Sequence, residues 1–306
     1  MEKKTSKINV PRLILHEASA ADYCQSILES GNSEVFWFLT GLAPYRGFSR
    51  PFRDHEGSWW WRPKPQFAWP VNYAKPHNQR PILPLGRAVL GHQYPVEASQ
   101  ANSLLHFNVI SDLEGYSLSR IAPQKRRAVR KGLRELVISP IDLKNPDEVM
   151  EAQIVWNSHV QRTGWNRAFS TRTFADKFAP LSDTAGTTVI SAREKASGRL
   201  CAWVIARSIE GAIYIDTIAS HTDRLAKRPN DTLIFSLLYC AKQSPNIQQA
   251  NYFLRSSLKP LEDFKRSLGF DSSGIPAYLH IQPAVAFAIR RLATSVWQRL
   301  HGDTII

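Results

Sequence analysis

Two residues late in the chain are of types that could run a polar group transfer: Asp216, in IYIDTIAS, and Lys265, in LKPLEDFKRSLGF. A carboxylate set among apolar strand residues is either an activated base or the partner of an arginine. In an extended chain Tyr214 and Asp216 share one face while Ile213 and Ile215 share the other. Tyr214 is then a polar wall beside the carboxylate or a packed aromatic. The ammonium of Lys265 would stabilise a developing oxyanion or a phosphate group; beside Arg266 it also reads as a solvated lysine on an outer helix face. Cations gather elsewhere too. Lys125, Arg126, Arg127, Arg130, Lys131 and Arg134 crowd one segment with few compensating acids. That density suits phosphate-bearing ligands as well as a solvated face. Arg224, Lys227 and Arg228 lead into Pro229-Asn230-Asp231, and Arg255 precedes Ser256-Ser257, a pair that also makes a turn.

The elements that must carry these residues are legible from periodicity. Leu258, Leu261, Phe264 and Leu268 follow helical spacing, and Gly269 ends the pattern as a left-handed cap. Before it lie strands over 200–207 and 212–218, turned at Glu210-Gly211, a helix over 229–243 opening at Pro229, and a strand over 250–254. Further helices are expected over 147–161 and 171–180, and strands over 187–193 and 276–282. Tyr116–Leu136 reads as a basic helix capped by Ser117 or Ser119, with an extended stretch from Ile138 to Ile141. Leu104–Ile110 is a strand. The lead contains a helix around Ala20–Glu29 and a strand at Glu34–Leu39. Between Pro44 and Pro95 prolines recur too often for a long helix, and Trp59, Trp60, Trp61, Phe67, Trp69 and Tyr73 need burial. This interval should form short strands and fixed loops, its rings packing a core or lining a stacking groove. A last helix, Ala284–Leu300, puts Val285, Ala288, Ile289, Leu292, Val296 and Leu300 on one face, with Arg290, Arg291 and Arg299 elsewhere. Such a helix packs on a sheet or touches a membrane surface peripherally.

Composition narrows the classes. The chain has 306 residues, 43% hydrophobic and 21% charged, which is globular rather than disordered. No run of about twenty apolar residues spans a bilayer, and no secretory leader is recognisable, so a cytoplasmic location is expected, at most peripheral at the inner membrane face. Three cysteines, Cys24, Cys201 and Cys240, lie far apart, which argues against a disulfide framework. Nine histidines without ligand spacing predict no metal. The formal charge of +13 favours anionic partners or serves solubility. A nucleic-acid-binding or membrane-surface protein without catalysis is therefore the alternative to an enzyme, although no familiar nucleic-acid-binding signature is present.

The order strand, strand, helix, strand, helix, Gly-Phe, strand over Arg199–Phe270, with the basic block LSRIAPQKRRAVRKGLRE before it, resembles the GNAT acyltransferase superfamily in its FemAB-like branch. The resemblance covers roughly the second half of the chain. It implies an α+β fold, a mixed and mostly antiparallel sheet flanked by helices, in two halves: 1–145, divergent and including the basic helix, and 146–306, the acyltransferase domain. Two central strands would part to admit an acyl donor, acyl-CoA or aminoacyl-tRNA, for transfer to an amine, as on a cell-envelope or polysaccharide precursor. Lys265 stands where many members carry a tyrosine acid, and Asp216 where several carry a carboxylate base. Arg224, Lys227, Arg228 and Asn230 fall at the donor-phosphate site, where the usual glycine-rich signature is missing. Arg255 and Ser256 fall at a strand end that borders the reaction centre. Arg126, Arg127 and Arg130 would meet tRNA or another phosphorylated substrate.

Overall fold

The computed structural model describes residues 52–302 apart from 65, 74, 184, 185, 245, 246 and 257. The expected helix at Ala20–Glu29, the strand at Glu34–Leu39, Cys24 and Ser257 lie outside the described residues. Within them the chain runs β1 (Phe52–Arg53), β2 (Trp59–Lys64), β3 (Phe67–Pro70), β4 (Gly91–Pro95), β5 (Ser103–Ile110), α1 (Pro123–Glu135) and β6 (Leu136–Pro140). Then follow α2 (Pro146–Thr163), α3 (Thr171–Phe178), β7 (Thr187–Glu194), β8 (Leu200–Ile209), β9 (Ala212–Ser220) and α4 (Pro229–Ala241). The rest is β10 (Gln249–Leu254), α5 (Lys259–Ser267), β11 (Asp271–Ile281), α6 (Pro283–Leu292) and α7 (Thr294–His301).

The strands form one sheet in the order β1-β2-β3-β4-β11-β5-β10-β9-β8-β7-β6. Its pairs are antiparallel except β3–β4 and β9–β10. The parallel β9–β10 pair requires a crossover, and α4 supplies it. Helices cover both faces, which explains why β8, LCAWVIARSI, is buried along its whole length. Its side chains alternate: Ala202, Val204 and Ala206 join the core under α1 and α4, whereas Trp203 and Ile205 meet Trp156, Phe174 and Phe178 under α2 and α3. The fold is thus α+β, a mixed, mostly antiparallel sheet between helices. The expected boundary near 145 falls between β6 and α2, while β5 from before it is hydrogen-bonded between β10 and β11 from after it.

Two helices depart from the sequence reading. The basic helix starts at Pro123 rather than near Tyr116. Proline fits the first helical position, where its missing N–H is no loss, and it holds Ala122 extended (ψ 144°). Ser117 and Ser119 hydrogen-bond each other at 2.7 Å instead of capping it. The last helix breaks at Ala293 (φ −147°) into α6 and α7. Cys201 is a free buried thiol.

The aromatic interval forms β1 to β4 and packs. Trp60 is fully buried with its Nε1 donating to Asp54 Oδ2 at 2.9 Å, and Tyr73 stacks on Phe107 of β5. α1 lies so close to α4 that a Cβ on Gly132 would sit 1.8 Å from Thr232 Oγ1.

Candidate active site

β9 and β10 hold together over three residue pairs only, Ala212–Gln249, Ile213–Ala250 and Tyr214–Asn251. Immediately beyond, both strands bulge. On β9 the register against β8 jumps from Ala206↔Ile215 to Ile205↔Thr217, leaving Asp216 as the extra residue. On β10 the register against β5 shifts between Asn251 and Leu254, with Phe253 at a φ of +55°. A bulge adds local twist and re-aims its side chain, so two bulges at the same level turn the strands apart.

A cavity of about 520 Å³ opens at this fork. Asp216, Thr217 and Ile218 line it from β9, and Tyr252, Phe253 and Leu254 from β10. Its aromatic walls include Trp61 of β2, Trp156 of α2 and Phe178 of α3.

Lys265 of α5 lines the same cavity and is 3% exposed, so it is not the solvated lysine that its neighbour Arg266 suggested. Its Nζ donates to the Leu254 carbonyl and to Glu262 Oε1, both at 3.2 Å, which commits two of its three N–H bonds. The ammonium also stands 5.2 Å from the centre of the Tyr252 ring. Burial lowers its pKa from the ordinary lysine value, and the Glu262 charge opposes that shift. Glu262 Oε1 in turn accepts from the Ser256 N–H at 2.8 Å and from Asn108 Nδ2 at 3.3 Å, which fixes the carboxylate beneath the lysine.

On the β9 wall of the cavity, Asp216 Oδ2 accepts from Nε and Nη2 of Arg207, at 3.1 and 2.9 Å. Arg207 is only 2% exposed. This charge-assisted pair orients the carboxylate. Two further groups complete the lining. Lys177 has its pKa lowered by burial, with the nearby Asp216 charge working against that. His159 is pushed down to about 4 by burial and by Arg162. Since an arginine can only donate, the 3.1 Å contact from Arg162 Nη2 makes His159 Nδ1 the acceptor and leaves the proton on Nε2.

The structure therefore brings Lys265, Asp216 and Ser256 into one cavity. Tyr214 lies beside it: its hydroxyl donates to Asn72 Oδ1 at 2.8 Å, and with Arg207 and Asp216 it lines a small apolar recess. The other candidates sit elsewhere. Arg224 pairs with Glu194 at 3.4 Å, and Lys227 with Glu194 and Glu135 at 3.0 and 3.3 Å. Arg228 is exposed in the left-handed region (φ 61°) before α4, and Asn230 Nδ2 donates to Ser220 Oγ at 3.2 Å. Arg126 Nε donates to the Ile121 carbonyl, while Arg127 and Arg130 are exposed on α1. Arg255 is half-buried, its N–H bonded to the His106 carbonyl. Sequence reasoning missed Arg207, Glu262, His159 and Lys177, and named Trp61 only as a ring packing a core or lining a groove. Two of these had a signal: Glu262 stands three residues before Lys265 on one helix face, and Arg207 is a lone charge in an otherwise apolar strand. Among the described residues no group of three or more His, Cys, Asp or Glu is placed to hold a metal ion.

A mixed, mostly antiparallel sheet whose parallel pair forks over a largely apolar cavity is a GNAT-like fold. Two solved structures match nearly the whole chain. The C-terminal domain of a protein assigned as a lysylphosphatidylglycerol synthetase from Agrobacterium fabrum is similar at a TM-score of 0.54 and 11% identity, over 94% of this chain and 99% of that one. L-PGS from Bacillus licheniformis is similar at 0.52 and 14%, over 92% and 97%. FemX is similar at 0.49 and 10%; the match covers 61% of this chain and spans 65% of that one. No protein-family model matches the sequence, and no curated protein does.

Proposed function

We propose that this protein transfers an acyl or aminoacyl group from an activated donor to an amine acceptor at the fork between β9 and β10. The observation that carries the reading is the joint placement of Lys265 and Asp216 on the walls of that fork. The amine nitrogen attacks the carbonyl carbon of the donor. The remaining N–H of Lys265 stabilises the oxyanion, a preorganised donor in a largely apolar cavity. As the new C–N bond forms, the nitrogen yields a proton to Asp216, held in place by Arg207. The C–O or C–S bond to the leaving group then breaks, and the departing atom takes a proton from the Lys265 ammonium.

Two observations favour an aminoacyl ester of tRNA over acyl-CoA as donor. The loop before α4 has no glycines to let its backbone approach a diphosphate, and its Arg224 and Lys227 are already answered by Glu194 and Glu135. The exposed Arg127 and Arg130 on α1 offer phosphate contacts instead. The name of the Agrobacterium fabrum neighbour, a lysylphosphatidylglycerol synthetase, supports an aminoacyl rather than an acetyl group as the one transferred.

Incubation with labelled aminoacyl-tRNA or acyl-CoA and a panel of amines, read by intact mass of the acceptor, tests this. Transfer from charged tRNA is expected. Absence of transfer together with absence of donor binding would overturn the reading.

A further inference from the structure

The C-terminal helices and the β3–β4 connection meet at one end of the sheet. Gly91 of β4 pairs with Ile281 of β11, and the Gln282 N–H donates to the Leu90 carbonyl at 3.1 Å, so the end of the β3–β4 connection lies beside the start of α6, while the Ile82 carbonyl accepts from the His55 N–H near β1. Both segments lie in stretches of unusual charge: residues 57–96 and 272–302 contain no Asp or Glu at all. Several other surface cations find acids, as in Arg120–Asp112, Arg193–Glu151 and Lys227–Glu194. Among the described residues none of Arg80, Arg87, Arg290 and Arg291 has an ion-pair partner.

The same two segments expose large apolar side chains. Phe287 and Leu292 of α6 are 64% and 85% exposed, and Val296 of α7 is exposed with them. Ile82, Leu85 and Val89 project from the loop. α6 buries no residue, so its apolar positions are not a core-facing stripe. Arg291 lies 5.8 Å from the Phe287 ring centre and Arg290 4.1 Å from that of Trp297, placing cations alongside exposed or half-buried rings.

We infer that α6, α7 and residues 80–90 form a surface that binds an anionic lipid bilayer. The arginines meet headgroups while Phe287, Leu292 and Leu85 enter the acyl boundary, the arrangement of an interfacial basic amphipathic helix. The acid-free charge fits an anionic partner, and the exposed aliphatic side chains distinguish a bilayer from a nucleic acid, which would have no use for them. This inference rests on none of the residues at the fork.

The test is co-sedimentation of the full chain with vesicles of phosphatidylcholine alone and of phosphatidylcholine mixed with phosphatidylserine. Binding is expected only to the mixture, declining with salt. Arg290→Gln and Arg291→Gln should each weaken partitioning about fivefold, from roughly one kcal/mol per basic residue near a charged surface. Phe287→Ser with Leu292→Ser should weaken it at least as much while the melting temperature stays put, since both side chains are exposed. Equal sedimentation with and without phosphatidylserine overturns the inference. So does a Phe287→Ser/Leu292→Ser protein that binds like the parent, or one that loses binding only by losing self-association in sedimentation velocity.

Discussion

At the scale of residues, the proposed site is an ammonium and a carboxylate, each held by its own partner. Lys265→Met keeps the side-chain volume and removes the charge. It should lower kcat by about a hundredfold or more, the usual loss when one oxyanion donor is removed, with donor binding less affected. Asp216→Asn should lower kcat similarly and also destabilise the fold, because the buried Arg207 loses its counter-charge; breaking such a pair costs about 3–5 kcal/mol, so a thermal melt separates the two effects. Burial depresses the Lys265 pKa, and the ammonium is the form that donates. The rate should therefore fall as pH rises through a value below that of free lysine. Lys265→Arg, which stays charged, should remove that alkaline limb even if its rate is lower. A limb unchanged by the arginine would assign it to another group.

At the scale of elements, two close approaches shape the molecule. α1 crosses α4 at Gly132, where an added methyl would meet Thr232 Oγ1. Gly132→Ala should cost about 1–3 kcal/mol through overpacking, measured by denaturant unfolding, and Thr232→Ala in the same chain should return part of it. On the other side of the sheet, His92 of β4 is buried against His280, Tyr94 and Trp60, with Arg80 nearby. Burial, with smaller contributions from His280 and Arg80, brings its pKa down to about 4. The unfolded chain, with an ordinary histidine near 6.5, takes up the proton first as pH falls. Stability should therefore decline from about pH 6.5 toward 4 and level off below, by on the order of 3 kcal/mol for this group. His92→Gln should flatten that part of the melting profile.

At the scale of the whole molecule, the formal charge of +13 is unevenly answered. Around the loop before α4 it is neutralised by Glu194 and Glu135, while on α1 Arg127 and Arg130 stand exposed. If the donor is a charged tRNA, its affinity should fall steeply with salt. Replacing Arg127 and Arg130 with glutamine should reduce the slope of log K against log salt by about 1.5, since each phosphate that a cation neutralises adds about 0.7–0.9 to it. An unchanged slope would move the tRNA-binding face off α1.

The sequence by itself determined the order of elements from β5 onward, apart from the start of α1 and the break between α6 and α7. Strand alternation and helical spacing are local properties, and Pro229 and Gly269 mark boundaries through backbone constraints that need no partner. It also singled out Lys265 and Asp216, because a polar group at a set place in a recurring element order is visible without coordinates. Only the tertiary structure decided which cations are already spoken for: Glu194 and Glu135 are distant in sequence from Arg224 and Lys227, and pairing across a fold leaves no local trace. The same holds for Arg207, Trp61 and His159, which come to the cavity from β8, β2 and α2. The fork itself was decided by register, one extra residue on each of two strands. A bulge is a relation between neighbours in a sheet rather than a property of either strand alone.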